Sequence, residues 1–396
     1  MNNPKAKNLI NKYSYRNMYV DDRNKVIENI LNKTIIPHQV EIQPGPKGKS
    51  LCWLKCPYCY GGSSKITGEA LDDERYVEIM NQIADGGVNK VIFAGYATDP
   101  LNYKYISNIV QVPLAKNQIM GFHTKAIKVS QALLNQITNR SLITGSYFSV
   151  SVDAGSNDIY NKVHGMNDSQ TKLYDRVINN LNQINNSRKK NNSPLDLSAT
   201  YLLNEINSSE IEVKKFINDA RNAGVDILRF TFPQIPRGYM INKIGDKNIP
   251  SNLEKNQILD NIKKTIETED TEECRVIIID YDKNMGIEGK MRTLPCFARW
   301  IFPSIGYDGF LGHCSESAAP HFREISLGNL NNKNFWELYY DYQPDKFKEY
   351  LADTANKMGR LDCRCDRKEH TVNLDLGKVD KVNEIKFKKT FDISKN

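Results

Sequence analysis

Three of the eight cysteines stand on one short stretch, Cys52-Trp-Leu-Lys-Cys56-Pro-Tyr-Cys59-Tyr60, a C-x3-C-x2-C spacing with an aromatic before the last thiol. Three thiolates on one loop can hold three irons of a cubane, which leaves the fourth iron without a protein ligand and open to a small molecule. Structural zinc is the competing chemistry. Zinc takes four ligands, usually as two pairs, whereas the next cysteine here is the distant Cys274. The spacing therefore points to an iron-sulfur site with an open position. A second set lies downstream: Cys296, Cys314 and the Cys363-Arg364-Cys365 pair. A chain that turns back near Gly306 to Gly309 brings Cys296 and Cys314 together across a hairpin, and the C-x-C pair then completes four thiolates. Such a set suits a closed cluster or structural zinc. Cys274, opening the apolar run 275–280 (RVIIID), reads as a buried thiol.

Elements must position these thiols. Residues 38–44 (HQVEIQP) alternate as a strand does and end at Gly45, immediately before the first cysteine loop. Tyr76, Ile79, Met80 and Ile83 recur on one helical face, and Gly86-Gly87 ends that helix before the strand at 90–95 (KVIFAG). Further strands are expected at 118–125, 147–153, 196–204 and 227–233, with helices marked by Leu173, Val177, Ile178, Leu181, Ile184 and by Val213, Phe216, Ile217, Ala220. Six strands alternating with helices imply a parallel sheet with right-handed crossovers, wrapped toward an incomplete barrel. Ligands bind such sheets beyond the carboxyl ends of the strands. The chain should then change character: a connector at 236–273, followed by short strands at 275–280 and 310–313, turn signals such as Asp308-Gly309, and a Lys-rich tail at 376–396.

With 396 residues the chain has room for two domains and a substantial core. The excess of Lys and Arg over Asp and Glu is +7, and it is dispersed, which speaks against nucleic acid as a partner. The first 17 residues are basic with no apolar segment behind them, and no run reaches the ~18 apolar residues of a spanning helix. A cytoplasmic location without a membrane is expected, with the cysteines kept reduced for metal or chemistry.

At Cys52, Cys56 and Cys59 the chain resembles the radical S-adenosylmethionine (radical SAM) superfamily over about residues 37 to 233. The resemblance implies an α/β fold, a partial (β/α)6 barrel, with a [4Fe-4S] cluster on those three cysteines and S-adenosylmethionine chelating the unique iron. Tyr58 would then lie near the adenine, or cover the cluster from water. The family's Gly-Gly-Glu-Pro turn after the second strand reads here Ala94-Gly95-Tyr96-Ala97-Thr98-Asp99-Pro100-Leu101, so Asp99 stands in for the usual glutamate, or the Gly95 backbone binds the amino group instead. Ser151 and Asp153 correspond to residues that reach the ribose, and Asn204 to another cofactor contact, with surface termination as its alternative. Ser156 reads better as a helix cap. His123, Lys125, Arg229 and Arg237 fall at strand ends or beyond, where each could meet substrate, although a structural role suits each one singly.

The spacing C-x12-G-x4-C from Cys296 to Cys314, followed by 326–330 (SLGNL) and Phe335-Trp336, resembles the SPASM/Twitch extension of these enzymes. With only Cys363 and Cys365 left downstream, the resemblance implies one auxiliary [4Fe-4S] cluster in a small α+β iron-sulfur domain. The expected organisation is a leader at 1–36, the barrel at 37–235, the connector at 236–273, the auxiliary domain at 274–375 and the tail. The implied activity is reductive cleavage of S-adenosylmethionine to a 5′-deoxyadenosyl radical that takes hydrogen from a peptide or a sugar-like small molecule, for oxidation, crosslinking or epimerisation. A flavodoxin or ferredoxin would supply the electron. Only about 36 residues precede the first strand, so no amino-terminal peptide-recognition domain is expected. The alternatives are a non-catalytic zinc-stabilised binding protein and a tRNA-modifying radical SAM enzyme.

Overall fold

The structure, a computed structural model, describes residues 22–45, 52, 54–56, 58, 59, 70–96, 98–166, 171–233, 250, 252–279, 295–361, 363, 365 and 367–379. Arg237 and most of the expected tail lie outside the described residues.

Each of the six expected strands is present, trimmed at its ends: β1 (Val40–Ile42), β2 (Lys90–Phe93), β3 (Ile119–Thr124), β4 (Tyr147–Ser151), β5 (Asp196–Leu202) and β6 (Ile227–Thr231). They pair in sequence order, all parallel. Between them lie α1 (Arg23–Leu31) ahead of β1, α2 (Asp73–Asp85), α3 (Ile106–Ala115), α4 (Gln131–Ile137), α5 (Asn157–Val163), α6 (Leu173–Lys190) and α7 (Glu210–Asn222). The fold is α/β, the partial barrel that the alternation implies.

One strand stands elsewhere than expected. Residues Arg275–Ile278 form β7, which joins the same sheet as a seventh parallel strand on β6, so the sheet runs on past position 274. An exposed β6 edge offers a row of unpaired backbone groups, and α8 (Asn252–Glu269) is the helical crossover that brings β7 onto it. On the opposite edge β8 (Ser304–Ile305) pairs in parallel with β1, then β9 (Phe310–Gly312) and β10 (Gly328–Asn329) follow antiparallel. The turn at Asp308-Gly309 thus makes the hairpin that the cysteine spacing called for.

The sheet's two faces differ, because alternate residues of a strand point to opposite sides. Val91, Phe93, Met120, Phe122, Phe148, Val150, Leu197, Ala199, Leu228 and Phe230 are buried in one core with the apolar stripes of the helices, including Tyr76, Ile79, Met80 and Ile83 of α2 and Val213, Phe216 and Ile217 of α7. The other set, Lys90, His123, Ser149, Ser151, Thr200 and Arg229, is polar and faces the inside of the barrel.

Past the hairpin come α9 (Ala298–Ile301), α10 (Phe335–Tyr339), α11 (Phe347–Arg360) and α12 (Arg367–Gly377). Trp300 of α9 is fully buried against Phe297, Tyr342, Phe347 and Tyr350. The Trp336 indole of α10 donates to Gln82 O at 2.7 Å, which fastens this layer to α2. Among the described residues no helix is long and apolar enough to cross a membrane.

Candidate active site at the carboxyl ends of the strands

The cysteine loop leaves β1 at the rim formed by the carboxyl ends of the strands. Its backbone is held from the side, since Lys55 N donates to His164 O at 2.9 Å just after α5. The next residue, Gly165, has φ +62°, and a Cβ there would come within 2.5 Å of Lys55 O, so only glycine lets the two chain segments meet. Burial pushes the Cys56 thiol up to about 12 and raises that of Cys52, while Lys125 acts on both in the opposite sense. The three thiols also act on one another electrostatically.

Asp153, immediately beyond β4, is the centre of a buried polar network. Its Oδ2 accepts from Lys125 Nζ at 2.5 Å and from Tyr58 OH at 3.0 Å, and its Oδ1 from Leu202 N at 2.8 Å. Lys125 also reaches His164 Nε2 at 2.8 Å, and since His164 Nδ1 lies 2.8 Å from Tyr160 O, the ring carries its proton on Nδ1 and accepts from the ammonium. Burial opposes ionisation of Asp153, yet the Lys125 ammonium outweighs it and holds the carboxyl well below the usual carboxylate range. Burial, then Lys125, holds His164 down to about 4, so it is neutral. Asp153 has φ +61°, a left-handed conformation that costs a non-glycine residue about 1 kcal/mol or more, and Asn207 Nδ2 binds its carbonyl at 2.9 Å to keep it there.

Of the residues expected here, Tyr58, Lys125 and Asp153 are therefore brought together. Asp99 is drawn into the loop instead. Its carboxylate accepts from Leu101 N, from Thr124 Oγ1 at 2.7 and 2.8 Å, and from Lys125 N at 2.6 Å, which ties the β2 loop to the end of β3. Gly95 lies where a Cβ would stand 1.7 Å from Thr98 O. Gly95→Ala is expected to force this turn open, lowering the thermal midpoint and weakening S-adenosylmethionine binding together; calorimetric melting and equilibrium dialysis read the two effects.

Ser151 lies at the end of β4 on the inside face. Asn204 is buried and closes its own turn, Oδ1 accepting from Ile206 N at 2.9 Å and Nδ2 donating to Leu202 O. Ser156 caps α5, its hydroxyl accepting from Ile159 N and donating to Glu212 at 2.9 Å, as a cap reading requires. His164 and Asn207 belong to the site although nothing in the sequence singles them out. Each is one polar residue at an element end, and its partner becomes visible only when β3, β4 and α5 are laid side by side.

In the second set, Cys296, Cys314 and Cys363 are buried together with Tyr96 of the β2 loop. Burial raises the Cys314 thiol, then Glu369, Cys363 and Cys296 raise it further. Asn373 of α12 donates to Cys365 Sγ at 3.3 Å and accepts from Phe297 N at 2.6 Å, bridging the two ends of the set. Cys274 is buried at the start of β7, its thiol pushed up to about 11 by burial, as a structural thiol would be.

Among the described residues no three His, Cys, Asp or Glu side chains already stand in metal-binding geometry. The donor chemistry nonetheless fits iron-sulfur clusters: three soft thiols on one rim loop, and Cys296, Cys314 and Cys363 sharing a second buried cluster. A cleft of about 1250 Å³ opens at the opposite end, lined by His38, Lys90, Ile119, Asp196 and Asp226. The cysteines are at the other end from it, and the chemistry belongs with them.

Residues 50–217 match the model of the Radical SAM superfamily. Among solved structures the chain is similar to Streptococcus suis SuiB bound to S-adenosylmethionine, with a TM-score of 0.57 and 14% identity over 82% of this chain and 70% of that one. SuiB bound to its precursor peptide SuiA gives a TM-score of 0.57 and 14% identity over 81% and 69%. Native anSMEcpe with bound AdoMet gives 0.52 and 14% over 78% and 82%. At these identities the likeness is one of fold. No curated protein sequence matches the chain.

Proposed function

From the match of residues 50–217 to the Radical SAM superfamily we propose that the chain is a radical SAM enzyme that cleaves S-adenosylmethionine reductively at a [4Fe-4S] cluster held by Cys52, Cys56 and Cys59. The observation that carries this reading is the three-thiol loop at the rim, anchored on His164 and Gly165 and standing over a polar barrel interior. When bound, the cluster supplies one electron to the sulfonium, giving methionine and a 5′-deoxyadenosyl radical that takes a hydrogen atom from the substrate. The protein's own part is positional. Tyr58, buried and tied to Asp153, covers the loop from water, and Lys125 places a cation beside the thiols. Gly95, Asp99, Ser151, Asp153 and Asn204 line the strand ends where S-adenosylmethionine would lie, Asp99 by shaping the turn.

Cys296, Cys314, Cys363 and Cys365 would hold one closed auxiliary [4Fe-4S] cluster in the part of the chain beyond β7, the strand that pairs with β6 of the barrel sheet. A site with every iron bound by thiolate has no place for substrate and suits electron transfer, which fits oxidation, crosslinking or epimerisation of a peptide or polar small molecule. SuiB, bound to a precursor peptide in one of its structures, makes a peptide a reasonable first substrate to try. A flavodoxin or ferredoxin would act as reductant, and reduced thiols suit a cytoplasmic setting.

The test is anaerobic reconstitution followed by dithionite reduction. A brown protein that forms 5′-deoxyadenosine is expected, whereas a colourless protein holding zinc would overturn the reading and favour the zinc-stabilised alternative. Replacing Cys363 and Cys365 together by alanine should leave about half the iron and preserve S-adenosylmethionine cleavage while turnover of the true substrate fails. A wild type with about four irons and one zinc per chain would end the electron-transfer role, because zinc has no redox step to offer.

A further inference from the structure

One buried hydroxyl stands beside the cysteine loop without a partner. Tyr160 lies in the middle of α5, and its side chain is fully buried. Its ring rests on that of His164, with centroids 4.1 Å apart, and His164 O is the group that takes Lys55 N of the cysteine loop. Cys52 and Cys56 pack against the same core that contains Tyr160. The phenol therefore sits where α5 backs onto the loop. Among the described residues its OH makes no hydrogen bond.

The groups that bear on this hydroxyl are two carboxylates and two thiols. Burial first, then Cys56, Asp153, Asp99 and Cys52, push the phenol well above its ordinary value, so it stays an O–H donor. Both carboxylates are already engaged. Asp99 accepts from Leu101 N, Thr124 Oγ1 and Lys125 N, and Asp153 accepts from Lys125 Nζ, Tyr58 OH and Leu202 N. Tyr58, the other tyrosine of this corner, gives its hydroxyl to Asp153. The acceptors left for Tyr160 are the sulfurs, and that of Cys52 already takes the Leu54 amide. A neutral thiol is a weak acceptor. A thiolate that holds iron is a strong one, because the hydrogen bond is then charge-assisted. A buried hydroxyl without a partner costs stability, and a phenylalanine would pack the same ring without that cost.

We propose that Tyr160 is a positioning residue whose hydroxyl donates to the iron-holding thiolate of Cys56 and thereby raises the reduction potential of the cluster on this loop. This rests on the radical SAM reading. Reduction adds one negative charge to the site, and an O–H donor at a thiolate sulfur favours the more negative state. The buried hydroxyl then makes electron delivery from the reductant easier.

Tyr160→Phe keeps the ring and removes the donor. The full reconstituted chain is titrated electrochemically, and the electron paramagnetic resonance signal that changes on adding S-adenosylmethionine marks the cluster with the open iron. Loss of the hydroxyl should lower the equilibrium constant for its reduction about three- to tenfold, a fall of about 30–60 mV at about 59 mV per decade for one electron. Iron content should be unchanged, and calorimetric affinity for S-adenosylmethionine should change by less than about twofold. Incorporation of 3-fluorotyrosine in place of Tyr160, whose more acidic hydroxyl is a stronger donor, should move the potential upward instead. An unchanged potential in a Tyr160→Phe chain with full iron would overturn the proposal. Weakened S-adenosylmethionine binding at unchanged potential would also do so, since the hydroxyl would then serve that molecule. Should Tyr160→Phe fail to fold or to load iron, an unchanged potential in the fluorotyrosine chain is the overturning result. A wild-type signal that responds to S-adenosylmethionine beside an indifferent potential removes only the role of Tyr160. If the wild type gives no such signal, the radical SAM reading falls and this proposal falls with it.

Discussion

Replacing Cys52, Cys56 and Cys59 together by alanine should abolish reductive cleavage of S-adenosylmethionine and remove about half of the bound iron. The loop is the one place where three thiols stand at the rim with no fourth cysteine near them in sequence, so an iron lacking a protein ligand can exist only there. Cys296, Cys314 and Cys363 lie in a separate buried cluster and should keep their metal. Iron assay beside chromatographic quantification of 5′-deoxyadenosine decides the matter. Continued cleavage by the triple variant would refute the assignment.

A second large effect is expected beneath the loop. Lys125→Met should lower the free energy of unfolding by about 3–5 kcal/mol, because it leaves the fully buried Asp153 charge without its cation. Asp153→Asn in the same background should recover part of that loss, since the amide keeps the Leu202 contact's shape and removes the stranded charge. The sign with pH follows from the depressed carboxyl of Asp153. The pair's contribution is complete above the ordinary aspartate value of about 4 and is lost only as pH falls below it toward the folded value. In Lys125→Met burial is no longer opposed by the ammonium, so the Asp153 carboxyl is raised and takes up a proton on folding as pH falls. The difference between wild type and Lys125→Met should therefore be largest at pH 7 and shrink toward pH 5 in urea denaturation; a difference below about 1 kcal/mol at pH 7 would show that the ion pair is not what holds this corner.

The cysteine loop, the order of the strands and the helix faces were legible because each is a local pattern. A C-x3-C-x2-C spacing, an alternation such as KVIF and the stripe Tyr76, Ile79, Met80, Ile83 all report on neighbours a few residues apart. The destination of β7 was not legible. Its short apolar run suits a barrel edge as well as a separate layer, and the helical crossover α8 decided for the edge.

The sequence by itself determined which chemistry is available: three thiols on the loop after the first strand, four more in the last third, and polar residues at the strand ends. Only the tertiary structure decided which partner each polar side chain takes. Tyr58 and Asp153 are 95 positions apart, and Lys125 and Asp153 are 28 apart, yet they share one carboxylate oxygen. Asp99, whose sequence position suggested a cofactor contact, turned to Thr124 and Lys125 because parallel pairing sets the end of β3 beside that of β2. Arg229 became an interior cation because its alternation in β6 points it inward and hydroxyls from two neighbouring strands hold it there. The physical reason is that a buried charge must be paired where it lands. Where it lands is fixed by sheet register and crossover geometry, which no local stretch of sequence contains.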